Sequence, residues 1–210
     1  GVISTEIKFR LLLPEDWNGK FVMGGGGGFA GTLGNQALTQ GVLQSGYATV
    51  STDTGHEGFG ATWAHNNLER IVNYGHAAVH RTAVEAKTMI SSFYQDDIDR
   101  SYFYGCSNGG RQALMEAQRY PDDFDGIVAG APAYNFAALG SQFLSTQQAM
   151  FPHPQQLQEP LISPQELALV QEGYLEQCDA HDGIQDGFMT DPRSCDFDVT
   201  QLPSCSAVDD

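Results

Sequence analysis

A serine flanked by glycines, Gly105-Cys106-Ser107-Asn108-Gly109, has the spacing G-x-S-x-G. Between a strand and a helix, such a run turns the backbone sharply at the serine and exposes its hydroxyl, and the glycines let strand and helix pass closely. We predict that Ser107 is a nucleophile and that the backbone N–H of Asn108 faces a developing oxyanion. The alternative is a strand-to-helix turn that binds nothing, because matches of five residues also arise by chance.

Five consecutive glycines, Gly24 to Gly28, follow the strand predicted at residues 20–23. A loop after an early strand supplies the second oxyanion donor of many serine hydrolases, and glycine lets a backbone N–H approach the reacting carbonyl without a Cβ in the way. We take Gly27 as this donor. A flexible loop is the alternative. A phosphate-binding loop is disfavoured, because the run lacks the Gly-Lys-Ser/Thr and G-x-G-x-x-G patterns.

An acidic segment near the C-terminus has aspartates at three- and four-residue spacing with glycines interleaved: Asp179, Asp182, Gly183, Asp186 and Gly187. Calcium takes about six to eight oxygen ligands from carboxylates and backbone carbonyls in tightly turned loops. The carbonyls of Ile184 and Phe188 are placed to complete such a set. The spacing is not that of an EF-hand, and on spacing alone a solvated Asp-Gly turn is the favoured interpretation.

A serine nucleophile requires a histidine base and a carboxylate that orients it. In α/β hydrolases both follow the serine in the chain, and here only His153 and His181 do. His153 lies between two prolines, which indicates a surface loop, and His181 lies in the acidic segment. His76 and His80 share a helix face, but they lack an obvious third residue with which to bind a metal. No histidine is therefore predicted as the base.

The segments around these residues alternate between strands and helices. Alternation and short apolar runs predict strands at 5–13, 20–23, 47–53, 100–105 and 126–130. Apolar residues at helical spacing predict one helix through Val79, Ala83, Ala86, Ile90 and Phe93, and a second helix is predicted at 110–120. After an opening hairpin, this order predicts an α/β fold with a mostly parallel sheet, in which 126–130 is a short buried strand.

The composition changes after Pro132, where proline, glutamine and serine become frequent and the strand–helix alternation stops. We place a boundary near Asn135, which divides the chain into 1–134 and 135–210. One helix is well signalled beyond it, because Ser163 and Glu166 form a capping box that starts a helix running to about residue 177.

The chain has 210 residues and a net charge of −16, with 26 acidic and 10 basic residues. Hydrophobic residues make up 41%, which predicts a packed globule. No apolar run approaches the roughly 20 residues needed to span a membrane. An acidic surface repels phosphate backbones and anionic lipids, so we expect neither nucleic acid nor membrane as a partner.

Four stretches of the chain resemble the tannase and feruloyl esterase family, which also includes a mono(hydroxyethyl) terephthalate hydrolase. The stretches are residues 17–31, 52–56, 102–133 and 178–198. The Cys-Ser pair inside the predicted elbow is more specific than G-x-S-x-G alone. The resemblance covers essentially the whole chain. It implies that 1–134 is part of an α/β-hydrolase core and 135–210 the beginning of an inserted lid.

The resemblance also implies how the cysteines are used. A disulfide would join Cys106 to a cysteine directly after the catalytic histidine, which ties two distant catalytic residues together. That cysteine, the triad Asp and His, and the partner of Cys205 would lie beyond the last residue, so we expect part of a longer esterase, inactive by itself. Cys178 and Cys195 resemble a family disulfide, which would restrain the unfolded chain by about 3 kcal/mol. Family members are secreted or periplasmic.

The same resemblance places a calcium ion on the acidic segment. Its ligands would be the carboxylates of Asp179, Asp182 and Asp186 and the carbonyls of Ile184 and Phe188. His181 would then be a loop residue and not a catalytic base.

Three functions follow as hypotheses. The leading one is a serine esterase that hydrolyses a small aromatic acid ester of the feruloyl, galloyl or terephthalate type through an acyl-enzyme on Ser107. The alternatives are a non-catalytic calcium-binding module on a hydrolase scaffold and another serine hydrolase, such as a peptidase. Only the esterase and the peptidase require a triad.

Overall fold

A computed structural model describes residues 1–3, 6–34, 36–37 and 41–203. The strands are β1 (Val2–Ile3), β2 (Ile7–Leu12), β3 (Lys20–Gly24), β4 (Ala48–Thr52), β5 (Arg100–Cys106) and β6 (Gly126–Gly130). The α-helices are α1 (Leu68–Val72), α2 (Ala78–Tyr94), α3 (Asn108–Arg119), α4 (Phe136–Met150) and α5 (Pro164–Cys178). Two compact units contain them, Gly1–Phe136 and Ala137–Asp210, and each is described by itself.

The first unit is built on a sheet with the strand order β1-β2-β4-β3-β5-β6. The pairs β4–β3, β3–β5 and β5–β6 are parallel, whereas β1–β2 and β2–β4 are antiparallel. The predicted mostly parallel sheet is thus confirmed. The predicted opening hairpin is wrong for β2 and β3, because β4 lies between them and β3 pairs in parallel on both sides.

Helix α2 packs its small and branched residues against this sheet. Val79, Ala83, Ala86 and Ile90 are buried in one core with Phe21, Met23, Val50 and Phe103 from the strands. Phe93 departs from the prediction, because 65% of it is exposed. In this last turn the neighbouring Tyr94 makes the inward contact instead and stacks on Trp17, with ring centres 4.3 Å apart.

A π-helical turn, Asn73–Ala77, joins α1 to α2. This wider turn buries Asn73 and Tyr74, although the stretch before them is exposed. Turns of this kind are uncommon and often occur at functional sites. The sequence analysis did not predict it.

Strand β6 is present as predicted but is not buried as predicted. It is the last strand of the sheet within the described residues, and Val128 is 55% exposed.

The second unit contains α4 and α5. The capping box of α5 is confirmed, since the Ser163 side chain accepts from the Glu166 N–H and the Glu166 side chain accepts from the Ser163 N–H. Helix α4 was not predicted. It buries none of its residues, and its sequence lacks the apolar periodicity that would have marked it. None of the described helices is long and apolar enough to cross a membrane.

Candidate active site

Ser107 forms the turn between β5 and α3. Its φ is 59° and its ψ is −119°, a left-handed backbone conformation that residues other than glycine adopt only where the surrounding structure holds it. The Ser107 N–H donates to the Gly130 carbonyl at 3.0 Å. The Ser107 carbonyl accepts from the N–H groups of Arg111 and Ala133 at 3.0 and 3.2 Å. Ser107 is exposed at the N-terminus of α3, as a nucleophile requires.

The motif glycines are required sterically. A Cβ added at Gly105 would lie 2.3 Å from the carbonyl oxygen of Gly109. A Cβ added at Gly109 would lie 2.5 Å from Oε1 of Gln36. A side chain at Gly105 would therefore push β5 and α3 apart, whereas a side chain at Gly109 would displace the Gln36 side chain from Cys106.

The Gln36 side chain forms hydrogen bonds to both backbone groups of Cys106, the residue before the serine. Its Oε1 accepts from the Cys106 N–H at 2.8 Å, and its Nε2 donates to the Cys106 carbonyl at 3.3 Å. Cys106 is exposed and forms no disulfide among the described residues. Cys205 lies outside the described residues, so the pairings predicted for these two cysteines stay predictions.

The glycine run lies beside the elbow because β3 and β5 are neighbours, with Gly24 opposite Tyr104. Two of its N–H groups are already bonded. The Gly25 N–H donates to the Tyr104 carbonyl at 2.9 Å, and the Gly26 N–H donates to Oε1 of Gln112 at 2.9 Å.

Three N–H groups of the elbow and the glycine run, those of Asn108, Gly27 and Gly28, remain available for an incoming oxyanion. Among the described residues, neither the Gly27 N–H nor the Asn108 N–H donates a hydrogen bond. The Gly28 N–H is also free among these residues. The choice among the five glycines thereby narrows to Gly27 and Gly28, and the predicted role of Gly27 stays a prediction.

Behind this pair, the buried side chain of Asn108 forms the centre of a polar network. Its Oδ1 accepts from Arg111 Nε at 2.8 Å and from the Tyr74 hydroxyl at 2.9 Å. Its Nδ2 donates to the Gly26 carbonyl at 3.2 Å. The Tyr74 hydroxyl also lies 3.3 Å from the Gly28 carbonyl. Helix α3, the π-helical turn and the glycine run are therefore joined at one residue.

Arg111 anchors the network in the interior. Its Nη1 and Nη2 donate to the carbonyls of Gly75 and Tyr74, each at 3.0 Å, and its guanidinium lies 4.5 Å from the centre of the Tyr74 ring. Burial lowers the pKa of Arg111 and raises that of Tyr74, so the phenol stays a neutral donor. The sequence does not indicate the role of Tyr74, because Tyr74 is 34 residues from Asn108 and no local pattern links them. Arg111 is three residues from Asn108, but its role depends on its contact with the π-helical turn.

His56 supports the far end of the glycine run. Its Nε2 lies 2.7 Å from the Phe29 carbonyl, and its ring stacks on Trp63 with ring centres 4.0 Å apart. Burial lowers the pKa of His56. Because its Nε2 must donate to the Phe29 carbonyl, His56 stabilises the end of the glycine run and is not the general base for Ser107.

The side chains of two further histidines, His76 and His80, are hydrogen-bonded to residues other than Ser107. His76 Nδ1 lies 2.7 Å from the Tyr120 hydroxyl, and His80 Nδ1 lies 2.6 Å from the Asp123 carboxylate. Within the described part of the chain, the group of possible metal ligands that includes His80 is completed by Glu116 and Asp123 and does not contain His76. Among the described residues, the Ser107 side chain has no hydrogen-bond partner, so this part of the chain does not bring a base to it.

The aspartates of the acidic segment are held by hydrogen bonds within it. Oδ1 of the buried Asp179 accepts from the Gly187 N–H at 2.9 Å. Oδ2 of Asp182 accepts from the N–H and hydroxyl of Thr190 at 3.0 and 2.9 Å. These bonds lower the pKa of Asp182. Asp186 accepts from the N–H two residues on, at 3.1 Å.

The turning of this segment depends on two glycines. Gly183 has φ 97° and Gly187 has φ 79°, conformations that favour glycine. Among the described residues, the carbonyls of Ile184 and Phe188 accept no hydrogen bond. They remain available as ligands.

The predicted disulfide between Cys178 and Cys195 is confirmed, with 5.7 Å between the Cα atoms. Both cysteines are buried with Met189 in a small cluster, against which Tyr174 and Phe197 pack. The bond closes the chain around the acidic segment.

Comparisons with known proteins support the same picture. The model of a family described as "Tannase and feruloyl esterase" matches residues 3–209. A probable feruloyl esterase B-1 of Aspergillus flavus is 35% identical over 194 residues, which cover 91% of this chain and 36% of that protein. The chain thus spans just over a third of the length of this relative.

Two solved structures resemble the fold closely. An esterase from Aspergillus oryzae has a TM-score of 0.81 and 33% identity, over 94% of this chain and 38% of that one. Feruloyl esterase B from Aspergillus oryzae has a TM-score of 0.79 and 32% identity, over 98% of this chain and 40% of that one.

Proposed function

The chain belongs to the tannase and feruloyl esterase family, and from this premise we propose that the whole protein is a serine hydrolase of carboxylic esters. Its similarity to solved esterases also confirms the predicted α/β-hydrolase fold. The observation that carries the proposal is Ser107, exposed in a left-handed turn at the start of α3, with free N–H groups at Asn108 and in the glycine run that adjoins the elbow. A turn that served only to connect β5 to α3 would need neither the strained conformation nor the free donors.

In the proposed reaction, Ser107 Oγ attacks the carbonyl carbon of the ester while a histidine base takes the hydroxyl proton. The carbonyl oxygen becomes an oxyanion, which accepts hydrogen bonds from the Asn108 and Gly27 N–H groups. Collapse expels the alcohol, which receives the proton from the histidine, and leaves an acyl group on Oγ. Water then attacks the acyl carbon with the same base, releases the acid and restores the serine.

The substrate we propose is an ester of an aromatic acid, of the feruloyl, galloyl or terephthalate type. The names of the family and of its relatives, feruloyl esterases among them, support this class. A peptidase or a non-catalytic binding module is disfavoured, because these relatives are named esterases.

We also propose that the acidic segment holds calcium. The proposed donors are all oxygens, as a hard cation requires: the carboxylates of Asp179, Asp182 and Asp186 and the carbonyls of Ile184 and Phe188, which accept no hydrogen bond among the described residues. Among the described residues, the three carboxylates do not form a group whose oxygens all lie within 4.8 Å of one another, so calcium would have to draw them together. Asp179 and Asp186 each accept one N–H and keep lone pairs for a cation. Asp182 accepts two hydrogen bonds from Thr190 on Oδ2 and one from the Ile184 N–H on Oδ1, so its remaining lone pair is on Oδ1. The ion would neutralise the aspartates and fix the loop, with no part in bond making at Ser107.

An oxidising compartment outside the cytosol is proposed as the place of action. The disulfide between Cys178 and Cys195 supports it, because structural disulfides persist mainly in such compartments.

Replacement of the nucleophile tests the proposed activity. Ser107→Ala in the whole protein should reduce kcat on methyl ferulate by about a millionfold, as loss of a triad serine does elsewhere, and should leave the circular dichroism spectrum unchanged. Ser101→Ala is the matched control on the same strand and should retain activity. If Ser107→Ala kept more than about a tenth of the activity, Ser107 would not be the nucleophile.

A further inference from the structure

We infer that the Asn108 side chain is a positioning group, which sets the direction of the Gly27 N–H toward the oxyanion, and that Arg111 holds the Asn108 amide in the orientation this requires. The inference rests on the proposed function, because it concerns how an ester carbonyl at Ser107 would be activated.

The first step is the geometry of one peptide plane. The Gly26 carbonyl and the Gly27 N–H belong to the same peptide, which is trans, so the two groups point in opposite directions. Asn108 Nδ2 donates to that carbonyl at 3.2 Å. This bond therefore turns the Gly27 N–H away from the Asn108 side chain and out of the interior, where Gly27 is exposed. Glycines on both sides would otherwise let the peptide rotate.

The second step is the orientation of the amide itself. Arg111 Nε is only a donor, so the atom 2.8 Å from it must be the Asn108 oxygen. The Gly26 carbonyl is only an acceptor, so the atom facing it must be the Asn108 nitrogen. Reversal of the amide would break both bonds. The bond from the guanidinium is charge-assisted, which makes this orientation the strongly favoured one.

The third step is that the loop is held on both sides of Gly27. Before it, the Gly26 N–H is bound by the buried Gln112. After it, the Gly28 carbonyl lies within reach of the Tyr74 hydroxyl. The Gly27 N–H, like that of Gly28, is thus a free donor among the described residues, in a loop that Gln112 holds at Gly26 and that Tyr74 contacts at Gly28.

Arg111 can serve this task because its own position is fixed. Two carbonyls of the π-helical turn, those of Tyr74 and Gly75, accept from its terminal nitrogens. Its guanidinium also lies over the Tyr74 and Phe136 rings, 4.5 and 5.7 Å from their centres. The π-helical turn therefore contributes to the candidate active site through Arg111 and Asn108.

The test separates positioning from folding with two variants of the whole protein. In Asn108→Asp, the introduced carboxylate keeps the acceptor for Arg111 and Tyr74, so the melting temperature should be unchanged or higher. It also places an oxygen against the Gly26 carbonyl, so kcat on methyl ferulate should fall roughly 100-fold, as after loss of one oxyanion donor. KM should stay within about threefold, because the interaction forms in the transition state.

Asn108→Ala removes the donor without adding charge, and it leaves Arg111 Nε and the Tyr74 hydroxyl without their acceptor. Its kcat should also fall about 10- to 100-fold, while its melting temperature should fall. A lowered kcat in both variants, with a lowered melting temperature in Asn108→Ala alone, would support the positioning role.

Wild-type kcat in Asn108→Asp would overturn the inference, because loss of the donor to the Gly26 carbonyl would then have no effect on catalysis. The Ser107→Ala variant is measured in parallel. If it remains active, the proposed function itself fails. If it is inactive while Asn108→Asp is fully active, only the positioning role fails.

Discussion

Glu116 lies on the inner face of α3 and is fully buried, and neither of its carboxyl oxygens is paired among the described residues when it is ionised. Its carboxylate, His80 and Asp123 have ligand atoms within 4.8 Å of one another. Burial, and then the charge of Asp123, raise the pKa of Glu116 to about 9, against an opposing effect of Lys87. At neutral pH Glu116 is therefore a carboxylic acid, and its O–H can donate to Asp123.

This residue predicts a pH dependence of stability. The folded-state pKa lies above the unfolded one, so between about pH 4.5 and pH 9 the folded protein holds a proton that the unfolded chain has lost. The free energy of unfolding should fall as pH rises through this window, by up to about 1.4 kcal/mol per pH unit. Glu116→Gln cannot ionise, so its advantage over wild type should grow between pH 5 and pH 9 in denaturant titrations.

The matched control is Glu85→Gln, which removes an exposed carboxylate from α2 and should keep the wild-type slope. If the curves of wild type and Glu116→Gln ran parallel from pH 5 to pH 9, Glu116 would be ionised in the folded protein at neutral pH.

At the scale of single residues, the sequence predicts a site residue when the geometry that places it involves only its neighbours in the chain. The position of Ser107 follows from steric demands that Gly105 and Gly109 satisfy within five residues. The roles of Tyr74 and Arg111 do not, because they depend on a contact between the π-helical turn and α3. Glu116 was equally hidden, since a glutamate in an amphipathic helix is normally assigned to the surface.

At the scale of elements, the strands and helices with clear periodicity or caps were predictable. Helix α5 is an example, because its capping box marks its start. Pairing was less predictable, since β4 enters the sheet between β2 and β3 and local sequence does not specify strand order. The π-helical turn left no pattern, because its extra residue changes the helix register without a characteristic residue type.

The acidic segment, residues 179–188, gives the prediction at this scale. Calcium should raise the melting temperature of the protein in a concentration-dependent manner, corresponding to about 2.7 kcal/mol at 100 times Kd. Magnesium should act more weakly, because it requires a smaller octahedral site. In Asp182→Asn the difference between calcium and chelator should shrink, because one anionic ligand is lost.

Asp196→Ala is the control for this experiment, since Asp196 is an exposed aspartate outside the segment. Its calcium-dependent shift should equal that of wild type. A wild-type melting temperature that is indifferent to calcium and to chelator would contradict the calcium site.

At the scale of the whole molecule, the features described are a strongly acidic composition and a division into two units. The net charge of −16 disfavours polyanionic partners. The first unit carries the nucleophile and the free N–H groups, whereas the second carries the disulfide and the acidic segment. Among the described residues, the Ser107 side chain has no hydrogen-bond partner, and the chain covers 36% of the length of the Aspergillus flavus relative.

The most direct test of the account is to trap the acyl-enzyme. The whole protein would be mixed with methyl ferulate, quenched in acid within milliseconds, digested and analysed by mass spectrometry. We expect one feruloyl group on the peptide that contains Ser107, and none in Ser107→Ala. A feruloyl group on another residue, or turnover with no acylated peptide at any quench time, would contradict an acyl-enzyme on Ser107.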